Sequence, residues 1–319
     1  MKLPNILNTT AAACLVAIPL TVSSSALADR SQALDTLAKL AKQDFQMNAS
    51  DSDGADRIRM ANRLTMLTQR VAAASCSLTS DVAIDESHFH LEEAMHEIDI
   101  IIDALKNGNE ALHILGPEEN AVTLKDIKLL DEEWQATHGA VESVLADGHD
   151  VDSAHIIDDH NLELLKLANN LLTDIQGQYS HPFEMTQADA MLLNISGRQR
   201  MLTQKMAKDA CEIWTGYHAE EGRADLTETM ANFETSLNAL LNGMPSVGIA
   251  PAPNDAIRKD LESLLSRWSI IKGNLTKLLE GEELNYDQKF EIFHDFNIEL
   301  EELDHLVHDY KLYVERHHS

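Results

Sequence analysis

Apolar residues recur at three- and four-residue spacing along almost the whole chain, and strict alternation is missing. Such a pattern predicts amphipathic helices rather than strands. A modest helix is expected over Asp29–Met47, followed by the polar break Asn48-Ala-Ser-Asp-Ser-Asp-Gly54. Four longer ones follow, near Asp56–Leu78, Glu86–Asn107, Leu124–Leu145 and Asp152–Gly177. After Tyr179-Ser-His-Pro182 the pattern restarts, with helices near Thr186–Tyr217, Asp225–Asn242, Asn254–Leu279 and Tyr286–His317. Thr186 and Asn254 read as N-caps, and Gly108, Gly148, Gly243 and Gly281 as stops.

The restart is a repeat. Met66-Leu-Thr-Gln-Arg70 returns as Met201-Leu-Thr-Gln-Lys205, displaced by 135 positions, and Cys76 and Cys211 share that displacement. Met95, Ile98, Leu105 and Gly108 fall on Met230, Phe233, Leu240 and Gly243 at the same offset, while Trp134 falls on Trp268 at 134. Four helices in one order imply an all-α fold of two tandem up-down-up-down four-helix bundles, the first over residues 29–179 and the second over 183–319.

The first 28 residues read as a leader: Lys2, an apolar stretch from Ala11 to Leu20, and Ala26-Leu27-Ala28 as cleavage site. Cys14 lies inside the apolar stretch, so a lipoprotein reading is weak, and no later segment approaches a membrane span. The mature chain is expected to start at Asp29, in the periplasm or outside the cell. Acids outnumber bases 53 to 25, a formal charge of −28 that becomes one unit more negative without Lys2. That balance argues against nucleic acid or anionic lipid as partners.

Against this acidic background one stretch stands apart. Asn194-Ile-Ser-Gly-Arg-Gln-Arg-Met-Leu-Thr-Gln-Lys-Met-Ala-Lys208 carries four bases and no acid, and Arg57–Arg70 is likewise acid-free. Ile195, Leu202, Met206 and Ile213 share the face expected to fill the bundle core. Ser196, Arg200, Thr203, Ala207 and Cys211 form a second face, mirrored by Ala61, Thr65, Thr68, Ala72 and Cys76. Small stripes allow close approach, so the two bundles are expected to pack through them with the motif helices parallel. Arg63 and Arg198 would then lie near Arg200. Arg200 needs a partner from another helix, from water or from a bound anion, and two main readings stand: an acid of a neighbouring helix, or an anion matching the planar guanidinium fork. The cysteines also have two readings, as small buried hydrophobes or as a Cys76–Cys211 disulfide permitted by export.

The stretch Asn194–Lys208 closely resembles the signature of PilJ-type, or NarX-like, periplasmic sensor domains, found at the N-terminus of type IV pili methyl-accepting chemotaxis transducers. The resemblance covers the second bundle, and the first through the repeat. It implies a helical sensor in which the arginine of Gly-x-x-Arg-Met holds a small anion of the nitrate or nitrite kind. By motif position that arginine is Arg200, beside Gly197 and Met201, with Arg198, Thr203 and Arg63 completing the expected ligand set. In the first copy Asn62 replaces the glycine and Thr65 the arginine, which puts a ligand site there in doubt. The relatives are membrane receptors with an output module. A chain without one is expected to act through a partner such as a membrane receptor or a pilus or chemotaxis component.

Two other readings compete. An envelope interaction protein would use the grooves between helices and bind no small ligand. A di-metal carboxylate enzyme would use Glu-x-x-His pairs, and Glu93–His96 and Glu302–His305 have the spacing, with Asp152–His155 a poorer match. The two pairs fall on non-equivalent helices of different bundles. No motif suggests hydrolytic or nucleophilic catalysis, and no cofactor or metal is expected.

Overall fold

The computed structural model describes residues 53–179 and 187–317, and these residues are all-α. The leader, the helix expected over Asp29–Met47, the turn after Tyr179 and the cap at Thr186 lie outside the described residues. The helices are α1 (53–79), α2 (Ile84–Asn107), α3 (Ala121–Ala146), α4 (Val151–Tyr179), α5 (Gln187–Thr215), α6 (Ala219–Asn242), α7 (Asp255–Leu279) and α8 (Tyr286–His317). Helices α1–α4 make the first bundle and α5–α8 the second. None of the described helices is long and apolar enough to cross a membrane.

The repeat extends into the backbone. α2 follows Ala83, a left-handed residue with φ 48°, and α6 follows His218 with φ 49°. Acids in each first turn, Asp85 and Glu86 or Glu220 and Glu221, face the positive end of the helix dipole. Each helix stops on a glycine, Gly108 at φ 84° and Gly243 at φ 80°. A side chain there would also collide with backbone, since a Cβ would lie 2.9 Å from the Gly116 carbonyl carbon or from Pro251 N. A single 3-10 turn follows in both copies, Glu110–Leu112 and Pro245–Val247. α6 starts six residues before the expected Asp225, because the left-handed pair Gly216 and His218 reverses the chain within one tight turn. The sequence there carries no N-cap residue to mark it. Asn254 does cap α7, its side chain accepting from Ile257 N.

Apolar faces meet inside each bundle around one buried tryptophan, Trp134 on α3 and Trp268 on α7. Leu64, Leu91, Ile98, Val141 and Leu164 surround the first; Met206, Phe233, Leu264, Phe296 and Leu303 occupy the second. Each such side chain contributes about 1.5–3 kcal/mol on burial. Leu202, Met206 and Ile213 are buried as the motif face predicts, whereas Ile195 only reaches the edge of the core.

Between the bundles α1 and α5 lie against each other. A Cβ on Gly197 would meet Asn62 Nδ2 at 2.8 Å, and Cys76 is bonded to Cys211 with a Cα–Cα distance of 6.2 Å. Both contacts join residues 135 positions apart, so the helices run parallel and in register about a pseudo-two-fold axis. The stripe residues Ala61, Thr65, Thr68, Ala72, Ser196, Thr203 and Ala207 are all buried. Thr65, Thr68 and Thr203 donate their hydroxyls to carbonyls of their own helix, Asn62 O, Thr65 O and Arg200 O. The polar groups of the stripe are thereby satisfied locally, and the helix surfaces can meet without open donors.

Candidate functional site

The α1–α5 seam has two flanks related by the repeat, and they carry different chemistry. On the first, Arg63 on α1 makes a bidentate pair with Glu97 on α2, Nε–Oε2 2.9 Å and Nη2–Oε1 2.7 Å. Arg200 reaches across from α5 to α8, donating to Asp304 Oδ1 at 2.7 Å and to Asn62 Oδ1 at 3.2 Å. Asp304 also lies 3.7 Å from Arg63 Nη1, so one carboxylate serves both arginines. Two turns beyond Arg63, Arg70 is held by Glu93 at 3.5 Å and by the His90 ring. Burial works against charge on Arg63, but Glu97 and Asp304 more than offset it and raise its pKa. Burial dominates at Arg70 and lowers its pKa. Glu86 on α2 closes this flank, 3.0 Å from His294 Nδ1 and 3.1 Å from Asn297 Nδ2 of α8. Burial pushes Glu86 up, yet the bonds from His90, His294 and Asn297 hold it down at about 2.

The second flank is a cavity of about 390 Å³ between α1, α4, α5 and α6. At offset 135 six members of the first flank have counterparts here: Arg198 for Arg63, Asn232 for Glu97, Thr65 for Arg200, Asn169 for Asp304, Lys205 for Arg70 and Glu228 for Glu93. Threonine in place of a buried arginine opens space, and Asn232 and Asn169 remove the two carboxylates that Glu97 and Asp304 supply on the first flank. Arg198 therefore lines the cavity without an ion pair among the described residues, although Asp225 and Glu228 line it too. Lys205 turns to Asp225 at 2.6 Å and Asp209 at 3.1 Å. Asn62, Asn194 and Gln176 add neutral hydrogen-bonding groups, and Leu172, Met201 and Leu202 an apolar floor.

The expected ligand set is thus divided. Arg63, Arg200 and Gly197 lie on the ion-paired flank, and Arg198 and Met201 line the cavity. Thr203 is buried between helices with its hydroxyl on its own backbone. Arg200, 6% exposed, has the acid partner that one reading required, and it comes from α8. Asp304, Asn169 and Glu228 were not singled out by the sequence. Applying the repeat offset to the basic and acidic positions is the signal that finds the last two.

Below the cavity α5 buries a charge cluster absent from the first copy. Lys208, 4% exposed, meets Asp209 at 3.1 Å, Asp158 of α4 at 4.0 Å, and Glu212. Its counterparts Ala73, Ala74 and Ser77 on α1 are small. Burial raises Asp209 and pushes Glu212 up to about 8, while the three acids raise Lys208 despite its burial. The Glu-x-x-His pairs do other work: Glu93 pairs with Arg70, Glu302 with Arg267 at 2.5 Å, and His155 stacks on Tyr217. Among the described residues no three His, Cys, Asp or Glu side chains are grouped to hold a metal ion.

Curated proteins offer no match to this chain. Residues 45–159 and 183–291 each match PilJ, described as the type IV pili methyl-accepting chemotaxis transducer N-terminal domain. The two matches fall on the two copies of the repeat and together span well over half the sequence, so the chain belongs to the PilJ family and carries its sensory domain in tandem.

Proposed function

We propose that this sensory module is exported, binds a small anionic ligand in the Arg198 cavity, and passes occupancy to a chemotaxis-type receptor or pilus component. The observation that carries the reading is the contrast between the two flanks. Arg200 already has a carboxylate, so an incoming anion would have to displace Asp304. Arg198 is a guanidinium without an ion pair among the described residues, in a cavity of the size that small ligands use. The leader pattern and the Cys76–Cys211 bridge support export to an oxidising compartment. The ligand touches α1, α4, α5 and α6 together, so binding would change how the two bundles hold each other, and a partner could read that change.

Calorimetric titration of the purified chain with nitrate, nitrite and acetate tests this. Saturable binding is expected, weakened at least tenfold by Arg198→Ala and within about threefold of wild type in Arg200→Gln. Binding lost in Arg200→Gln but kept in Arg198→Ala would move the site to the other flank. No binding by any probe to folded protein would overturn the ligand-sensor reading in favour of an interaction bundle.

A further inference from the structure

The first flank shows which charges the fold normally cancels, and the second shows which it leaves over. On the first, Arg63 pairs with Glu97 and Arg70 with Glu93, and Asp304 is shared by Arg200 and Arg63. On the second, Asn232 stands where Glu97 would be, which frees Arg198. Lys205 stands where Arg70 would be, but Asp225 and Asp209 take its ammonium. Those two acids replace His90 and Ala74, so the diversion is written into this copy alone. Glu228, the counterpart of Glu93, is thereby freed as well, with no cation against it among the described residues. One unmatched cation and one unmatched anion line the same cavity, with amides between them and an apolar floor beneath.

We infer that the cavity binds a zwitterion of the α-amino-acid class, with the ligand carboxylate on Arg198 and its ammonium on Glu228. The proposal rests on the reading of the cavity as the ligand site and names the ligand's chemistry. A simple anion satisfies Arg198 and leaves Glu228 repelling it. An amino acid satisfies both, and its backbone-like ends match the amides of Asn62, Asn169 and Asn232. The volume, about 390 Å³, exceeds what nitrate fills and leaves room for a side chain over Leu172, Met201 and Leu202.

Titration with glycine, L-alanine and L-glutamine, each beside its deaminated carboxylate (acetate, propionate, glutaramate), tests the inference on the full chain. The amino acids are expected to bind at least tenfold tighter than the matched carboxylates. Glu228→Gln should remove that difference, weakening the amino acids while easing the repulsion on the carboxylates, and Arg198→Ala should weaken both classes. Asn232→Glu, which rebuilds the acid that the first copy uses, should close the site to both without disturbing the fold. Arg198-dependent binding of carboxylates with no gain from the amino group would overturn the zwitterion and keep the anion site. Absence of all binding in folded protein would overturn both.

Discussion

Asp304 is the residue on which the ion-paired flank turns. Its carboxylate lies 2.7 Å from Arg200 Nη1 and 3.7 Å from Arg63 Nη1, although its own side chain is 41% exposed. Arg63 keeps Glu97 if Asp304 is removed, whereas buried Arg200 keeps only the neutral Asn62 and Gly197 oxygens. Asp304→Ala is therefore expected to lower stability by about 2 kcal/mol, the usual cost of stripping a charged hydrogen-bond partner from a buried group, reduced for the solvent at Asp304. Arg200→Gln with Asp304→Asn together should cost less than Asp304→Ala alone, and a urea-unfolding cycle measures the difference. That Arg200 needed a partner from outside its own helix was legible in the sequence, since that helix offers no acid nearby. Which acid was not legible: 53 are present, and only the fold brings α8 to α5.

At the scale of the element, the helices and their repeat could be read from spacing alone, because an amphipathic face is a local property. The left-handed turn before α6 could not, since His218 adopts φ 49° under tertiary constraint rather than by preference. Nor could the buried acid of α8. Glu299 is fully buried with neither carboxylate oxygen hydrogen-bonded, and burial, with Glu302 and Asp295 nearby and only Arg267 opposing them, pushes it up to about 8. An acid raised in this way binds its proton more tightly when folded, so the folded state is favoured at low pH and loses ground as pH rises from about 4.5 to about 8. Glu212 acts in the same direction, and Glu86, held at about 2, acts oppositely as pH falls below 4.5. Stability should therefore peak near pH 5 and decline toward pH 8. Glu299→Gln, which mimics the protonated acid, is expected to spare roughly 3 kcal/mol of that decline, measured by urea unfolding at the two pH values. An unchanged slope would mean that Glu299 reaches solvent or a cation on folding.

The described residues form two bundles held at one seam, and their cohesion rests on three kinds of contact. The small-residue stripes bury little area each, and the polar contacts across the seam include the buried Arg200–Asn62 bond as well as Glu86–His294 and Tyr217–Asp159, which are open to water and individually weak. The Cys76–Cys211 bond is the third, and it closes a loop of 135 residues spanning one full repeat. A loop that long restricts the unfolded chain strongly, so replacing both cysteines by alanine is expected to cost about 3 kcal/mol. The loss should not fall evenly. The second bundle carries Asp209, Glu212 and Glu299 as buried acids with raised pKa, and the first has small residues at the first two positions and Leu164 at the third. With the bond present, the bundles should unfold together in one transition at pH 5 and at pH 8. Without it, the double alanine variant should still show one transition at pH 5, where Glu212 and Glu299 are protonated. At pH 8 it should split in two, the second bundle melting first. Calorimetric scans of both proteins at both pH values decide this, and a single transition of the variant at pH 8 would show that the non-covalent seam alone binds the two sensor copies into one cooperative unit.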